Sequence, residues 1–171
     1  MKHVILIGGT MGVGKTTICQ ALKKKLACSV FLDGDWCWDA SPFQVTDETQ
    51  KMVLDNITHL LNNFIHCSVY DYVIFGWVMH QQDIIDEIIS HLDTSSCQIS
   101  TISLTVSPEC LKDRLMKDVD CGIRTIDVVE RSLQRIDMYR DLNTYHIDTS
   151  YKTIDHITQE IISYIHTHNE K

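Results

Sequence analysis

One run of residues declares its chemistry by type and spacing. Gly9, Thr10, Met11, Gly12, Val13, Gly14, Lys15 and Thr16 satisfy the pattern G-x-x-x-x-G-K-[ST] in full. The run follows a short apolar segment and opens a stretch of helical period, which is the context the pattern requires. Backbone N–H groups can wrap a phosphate only if the chain approaches closely through unusual dihedrals, and glycine alone permits both at low cost. A helix N-terminus behind such a loop adds partial positive charge. In this arrangement Lys15 is a point charge for the β- and γ-phosphates, the Thr16 hydroxyl is placed to ligate Mg²⁺, and Thr17 extends the polar edge. The ligand that residues 9–17 suit is ATP with Mg²⁺.

A second constellation is Asp33-Gly34-Asp35, at the end of the second expected strand. Parallel sheets hold ligands at the carboxyl ends of their strands, so both carboxylates are expected to face the same crevice. One can hold Mg²⁺ through water and the other can orient or deprotonate an acceptor hydroxyl; an acidic turn shaped by Gly34 is the plainer reading. Arg124 and Arg135 lie eleven residues apart in the sequence. That is about three helical turns, so one face can carry both. Guanidinium groups suit a phosphoryl group in flight, whose charge spreads over its oxygens; surface ion pairs are the alternative. Trp36, Trp38, Phe43 and Trp77, with His80 nearby, make an aromatic acceptor side suited to a neutral hydroxyl compound, or else simply pack beneath neighbouring helices.

Positioning these groups requires strands that feed loops at one edge of a sheet. Short β-rich runs at His3–Ile7, Ser29–Leu32, Tyr72–Phe75, Ile99–Val106 and Tyr145–Ile147 alternate with segments of helical period at Lys15–Leu26, Thr46–Cys67, Gln81–Leu92, Pro108–Lys117, Asp127–Leu142 and Thr153–His166. This predicts an α/β fold of three layers around a five-stranded parallel sheet. Thr46 and Ser107-Pro108 are expected to start helices, as is Thr125. With 171 residues and no repeat or linker, the chain reads as a single domain over 1–171. Its acceptor-side helical region covers about 36–67 and a short lid about 117–124, with Gly122 allowing movement.

The two constellations resemble a known group of enzymes. Phe31-Leu32-Asp33-Gly34-Asp35 is similar to the F-x-D-x-D element of shikimate kinase and the L-D-G-D element of adenylylsulfate kinase. The stretch from Arg124 to Tyr139 resembles the R-x-D-D-x-x-E-x-x-x-x-R-x-x-x-Y block of adenylate and uridylate kinases, with Ile126 where the first aspartate would stand. The resemblance implies a three-layer P-loop NTPase fold with a short lid, in a P-loop small-molecule kinase of the nucleoside-monophosphate-kinase-like superfamily. It further implies Asp33 near Mg²⁺, Asp35 near the acceptor, Arg124 and Arg135 converging on the transferring phosphate, Arg114 lying against adenine, and Ile147–Ser150 approaching the base. That last segment can equally be read as the cap of the final helix. The chain departs from the pattern in having Asp118 at a lid arginine position and Phe75-Gly76-Trp77-Val78-Met79-His80 in place of Asp-Gly-x-Pro-Arg. No arginine lies between Asp35 and Arg114, which disfavours an acceptor that is already phosphorylated.

A formal net charge of −8 opposes nucleic-acid polymers and anionic membranes as partners. The seven cysteines are irregularly spaced, as free thiols in a reducing compartment would be, and no apolar run approaches membrane-spanning length, so a cytoplasmic location is expected. The histidines show no zinc-ligand spacing, and His166-x-His168 reads as a helix end. A GTPase lacks its N-K-x-D motif here, and a motor ATPase its apolar strand ending in Asp-Glu. The sequence thus predicts a phosphotransferase that uses ATP and Mg²⁺ to phosphorylate a hydroxyl of a small molecule: a metabolite, nucleoside or antibiotic. Its alternatives are a nucleoside monophosphate kinase and a nucleotide-binding resistance or regulatory protein without turnover.

Overall fold

A computed structural model describes residues 1–167. Five strands, β1 (Lys2–Gly9), β2 (Ser29–Asp33), β3 (Tyr72–Gly76), β4 (Cys97–Thr105) and β5 (Tyr145–Asp148), form one sheet in the order β2-β3-β1-β4-β5, with every pairing parallel. Six helices connect or follow them: α1 (Lys15–Lys25), α2 (Asp47–His66), α3 (Gln82–Ser90), α4 (Pro108–Asp120), α5 (Asp127–Arg135) and α6 (Ile154–Thr167). His168 lies outside the described residues.

The three layers follow from the two faces of β1. Ile5 and Ile7 pack on one face with Ile18, Leu22, Leu111 and Ile161, from α1, α4 and α6. Val4 and Leu6 pack on the other with Val53, Ile57 and Ile88, from α2 and α3. All four β1 side chains are buried, and each contributes about 1.5–3 kcal/mol against exposure. With neighbours on both sides, β1 sits at the centre of the sheet and delivers its last residues into the crevice where strand order reverses.

Helix starts follow their expected chemistry in two cases. Thr46 and Thr49 form a reciprocal capping box at α2, and the Ser107 hydroxyl accepts from Cys110 N with Pro108 in the first turn of α4. Thr125 differs: its hydroxyl bonds the Asp127 side chain, and Ile126 precedes α5 without a side-chain cap.

Two ends differ from their expected positions. The segment expected as one helix over Asp127–Leu142 is α5 followed by a 3₁₀ turn at Ile136–Tyr139. Helix α4 continues to Asp120, so residues 117–120 of the expected lid are helical. It stops at Gly122 (φ 70°), where Gly122 N donates to Val119 O and Ile123 N to Asp118 O. That pair of bonds is the helix-terminating arrangement in which a left-handed glycine satisfies the last carbonyls. Gly122 therefore fixes the end of α4, and residues 121–126 form the non-helical connection to α5.

Candidate active site

The loop between β1 and α1 folds as its glycines require. Gly12 and Gly14 have φ of 82° and 104°, and a Cβ on Gly12 would lie 2.5 Å from Leu115 Cδ2 on α4. Backbone conformation and the close approach of α4 thus both exclude a larger residue. Thr10 and Val13 are buried; Met11 is half-buried against the core. The Thr10 hydroxyl donates to Ser132 O at 3.1 Å, which ties the loop to the middle of α5.

Lys15 begins α1, and its ammonium donates to Gly9 O (2.8 Å) and Thr10 O (3.1 Å) across the loop. Burial lowers its pKa to about 8, against the opposing pull of Asp35 and Asp33. Thr16 Oγ1 donates to Asp33 Oδ2 at 2.7 Å, while Asp35 N donates to Asp33 Oδ1 at 3.1 Å. Asp33 is buried at the end of β2. A hydroxyl and a buried carboxylate, both oxygen donors at the mouth of a phosphate loop, fit the hard-ligand preference of Mg²⁺. Thr17 is exposed one residue further along α1.

Asp35 stands in the 3₁₀ turn after β2. Burial and the Asp33 charge raise its pKa, whereas Lys15, hydrogen bonding from the Trp77 indole and Arg124 draw it back. Trp77 belongs to this site, and Gly34 makes room for it: a Cβ on Gly34 would lie 2.4 Å from Trp77 Cγ. The other aromatic residues divide. Trp36 packs edge-on against Phe31 at the open edge of β2 and is 59% exposed, while Trp38 packs on Phe43 with ring centroids 4.6 Å apart. The sequence grouped these four rings, and the structure puts the Trp77 indole in a hydrogen bond with the Asp35 side chain.

The two arginines also divide. Arg124 precedes α5 and pairs with Asp118 of α4 at 3.0 Å; its charge is felt at Lys15 and Asp35. Arg135 closes α5, and its charge is felt at His80 and Tyr139. Because α5 begins only at Asp127, the two do not share a helical face as their spacing suggests. The Tyr139 hydroxyl donates to Val78 O at 2.6 Å, which holds the end of α5 against the segment after β3.

Arg114 donates to Val13 O (3.1 Å), Thr149 Oγ1 (3.1 Å) and Thr149 O (2.7 Å), so it clamps the phosphate loop to the loop after β5. Thr149 is therefore a partner of Arg114 and not the cap of α6, where Thr153 accepts from His156 N. Asp148 accepts from Ser150 N and Oγ, shaping the same loop. Nothing in the sequence signals the Arg114 to Thr149 contact or the packing of Trp77 over Gly34, since each depends on which strands become neighbours.

A glycine cradle, a half-buried lysine and a threonine–aspartate pair at the carboxyl edge of a parallel sheet define a P-loop protein with the fold of the small kinases. The chain belongs to the AAA domain family, whose model matches residues 5–134. It is 22% identical over 166 residues to a Pyrococcus furiosus protein that carries the provisional name adenylate kinase, covering 96% of this chain and 84% of that one. Its fold is similar to that of a gluconokinase from Sinorhizobium meliloti (TM-score 0.69, 16% identity, 94% of this chain and 90% of that chain). It is similar also to shikimate kinase from Acinetobacter baumannii (TM-score 0.65, 19% identity, 100% and 96%). No helix among the described residues is long and apolar enough to cross a membrane.

Proposed function

We propose that this chain is an ATP- and Mg²⁺-dependent phosphotransferase that moves the γ-phosphoryl group to a hydroxyl of a small molecule. The observation that carries the reading is the convergence of Lys15, the Thr16 to Asp33 pair and Asp35 around one loop. Mg²⁺ bound by Thr16 and Asp33 would supply charge neutralisation at the phosphate oxygens. Lys15 binds the β- and γ-phosphates, and Arg124 adds positive charge where negative charge develops. Asp35, with its raised pKa and its place in the turn after β2, accepts the proton of the attacking hydroxyl. Arg135 bounds the acceptor side, and Arg114 with Thr149 shapes the base side.

Several features favour a neutral acceptor over a nucleoside monophosphate. The segment between Asp35 and Arg114 holds no arginine, and β3 runs into Gly76-Trp77 beside Asp35. A cytoplasmic metabolite, nucleoside or antibiotic fits this reading. The gluconokinase and shikimate kinase named above act, by name, on hydroxyl compounds.

The test is a screen of metabolites and antibiotics with ATP and Mg²⁺, read as a mass gain of one phosphoryl group. Asp35→Asn should lower acceptor phosphorylation by about two orders of magnitude, the usual worth of a general base. Unchanged turnover in Asp35→Asn removes Asp35 from the mechanism, and a panel of nucleoside monophosphates, read as ADP formation, would reveal the other acceptor class.

A further inference from the structure

Helix α5 breaks at one of the arginines the proposed reaction uses, and the break has a cause inside the phosphate loop. The sequence reads as a single helix over Asp127–Leu142, yet the backbone at Arg135 departs to φ −90° and ψ −10° and a 3₁₀ turn follows. At this point Ile136 N donates to Leu133 O, three residues back instead of four. A continuous α-helix would pair Ile136 N with Ser132 O, so the break releases that carbonyl. Ser132 is fully buried, and water does not reach it. The Thr10 hydroxyl takes the released carbonyl at 3.1 Å. A buried carbonyl without such a donor would cost about 1–3 kcal/mol.

Thr10 is itself buried, and its two polar groups face different parts of the site. Its carbonyl accepts from the Lys15 ammonium at 3.1 Å, while its hydroxyl holds α5. One residue of the loop thus touches both the lysine placed for the phosphates and the helix that ends in Arg135. The far end of the 3₁₀ turn is fixed separately. Tyr139 donates from its hydroxyl to Val78 O at 2.6 Å, and His146 Nε2 lies 2.8 Å from Tyr139 O. Between these two anchors Arg135 is aimed at the segment after β3, where its charge is felt at His80 and Tyr139. An α-helix turns about 100° per residue and a 3₁₀ helix about 120°. Pairing Ser132 O with Ile136 N would therefore swing the chain from Arg135 onward about the helix axis.

We propose that Thr10 is a positioning residue for Arg135: by holding the Ser132 carbonyl it keeps α5 broken at Arg135 and the guanidinium turned toward the segment after β3. The importance of Arg135 rests on the phosphotransferase reading above; the Thr10 contact does not. Phosphates that draw Lys15 away from Thr10 O act on the same residue, so nucleotide binding is felt at the break. A displacement of about 1 Å at a group that stabilises the transferring phosphate is enough to slow transfer by about a hundredfold, which gives a buried contact remote from the reacting atoms its leverage.

Backbone ¹³C and amide resonances of residues 130–139 test this in the wild-type protein, in Thr10→Val, which keeps the shape and removes the hydroxyl, and in Thr10→Ser, which keeps the hydroxyl. Without nucleotide, Thr10→Val should extend α-helical ¹³C shifts through Arg135 and Ile136, whereas wild type and Thr10→Ser should both show the break. At saturating ATP-Mg²⁺ the Arg135 and Ile136 amides should move in wild type and Thr10→Ser, and by less than half as much in Thr10→Val. A hydrogen bond that served stability alone would lower the unfolding midpoint of Thr10→Val and leave that nucleotide response intact. Either a break retained in Thr10→Val or an undiminished response at Arg135 would overturn the inference. A check on the wild type alone is independent of variant folding: the Thr10 hydroxyl proton should exchange slowly enough to be observed, with a contact to Ser132, and its absence sinks the proposal. If the wild type binds no ATP-Mg²⁺ at millimolar concentration, the nucleotide reading beneath fails instead, while the nucleotide-free shifts still decide the role of Thr10.

Discussion

In the free protein the Lys15 ammonium is enclosed by its own loop and donates to Gly9 O and Thr10 O. Burial outweighs the two nearby carboxylates, and its pKa falls to about 8. Phosphates brought against it restore the preference for the charged form, so the pKa must rise when nucleotide binds. The sign of the linkage follows. Below pH 8 the lysine is already charged and binding takes up no proton from this group. Above pH 8 it is neutral in the free protein, each binding event takes up a proton, and affinity falls by up to about tenfold per pH unit. Calorimetric titration of ATP-Mg²⁺ at pH 7, 8 and 9, in buffers of different ionisation enthalpy, should show proton uptake appearing only at the upper two values. A dissociation constant that is flat from pH 7 to 9.5 would contradict the depressed lysine.

At the scale of elements, α5 is the piece whose position the site depends on, and its seat on the phosphate loop is imperfect. Ser132 is fully buried; its carbonyl receives the Thr10 hydroxyl, but its own hydroxyl has no hydrogen-bond partner among the described residues. Burying an unsatisfied hydroxyl costs about 1–3 kcal/mol, and alanine is the better helix former. Ser132→Ala should therefore raise the unfolding free energy by about 1 kcal/mol, read from the urea midpoint at constant slope; a loss of stability would mean that the hydroxyl has a partner in solution. Helix α5 also marks where the sequence stops being legible. Strand and helix existence follows from hydrophobic period, and the phosphate loop from its spacing, because both are local. The spacing of Arg124 and Arg135 suits one helical face, but the first arginine lies outside the helix on Asp118. Its partner is chosen by how α4 ends at Gly122, a matter of tertiary placement. Trp77 was legible as an aromatic residue near the acceptor, whereas its contact with Asp35 depends on β2 and β3 becoming neighbours.

For the whole molecule, the sheet separates two kinds of pH sensitivity, with the candidate site at the carboxyl end of β1 and the His3, Tyr72 and His166 contacts at the other end. His3 is the second residue of β1 and is buried; its Nε2 lies 2.9 Å from Ser100 Oγ on β4, and its ring stacks on Tyr72 of β3 at 6.3 Å between centroids. The Tyr72 hydroxyl in turn meets His166 Nε2 of α6 at 3.5 Å. Burial, and then the His166 charge, lower the pKa of His3 below its ordinary value. A histidine that resists protonation in the folded state binds fewer protons there than in the unfolded chain. Stability is therefore unaffected above the unfolded pKa of about 6.5 and falls as pH drops below it, by up to about 1.4 kcal/mol per pH unit for one proton, until the folded pKa is passed. His80, also lowered, adds to the same trend. His3→Gln keeps a group able to bond Ser100 and removes the titration. Its urea-unfolding free energy should lose less between pH 7.5 and pH 5 than the wild-type value does. ATP affinity at pH 7.5 should stay within about twofold, because Gly9 lies six residues further along the same strand than His3, about 20 Å away. Parallel stability curves for the two proteins over that range would show that the acid limb arises elsewhere.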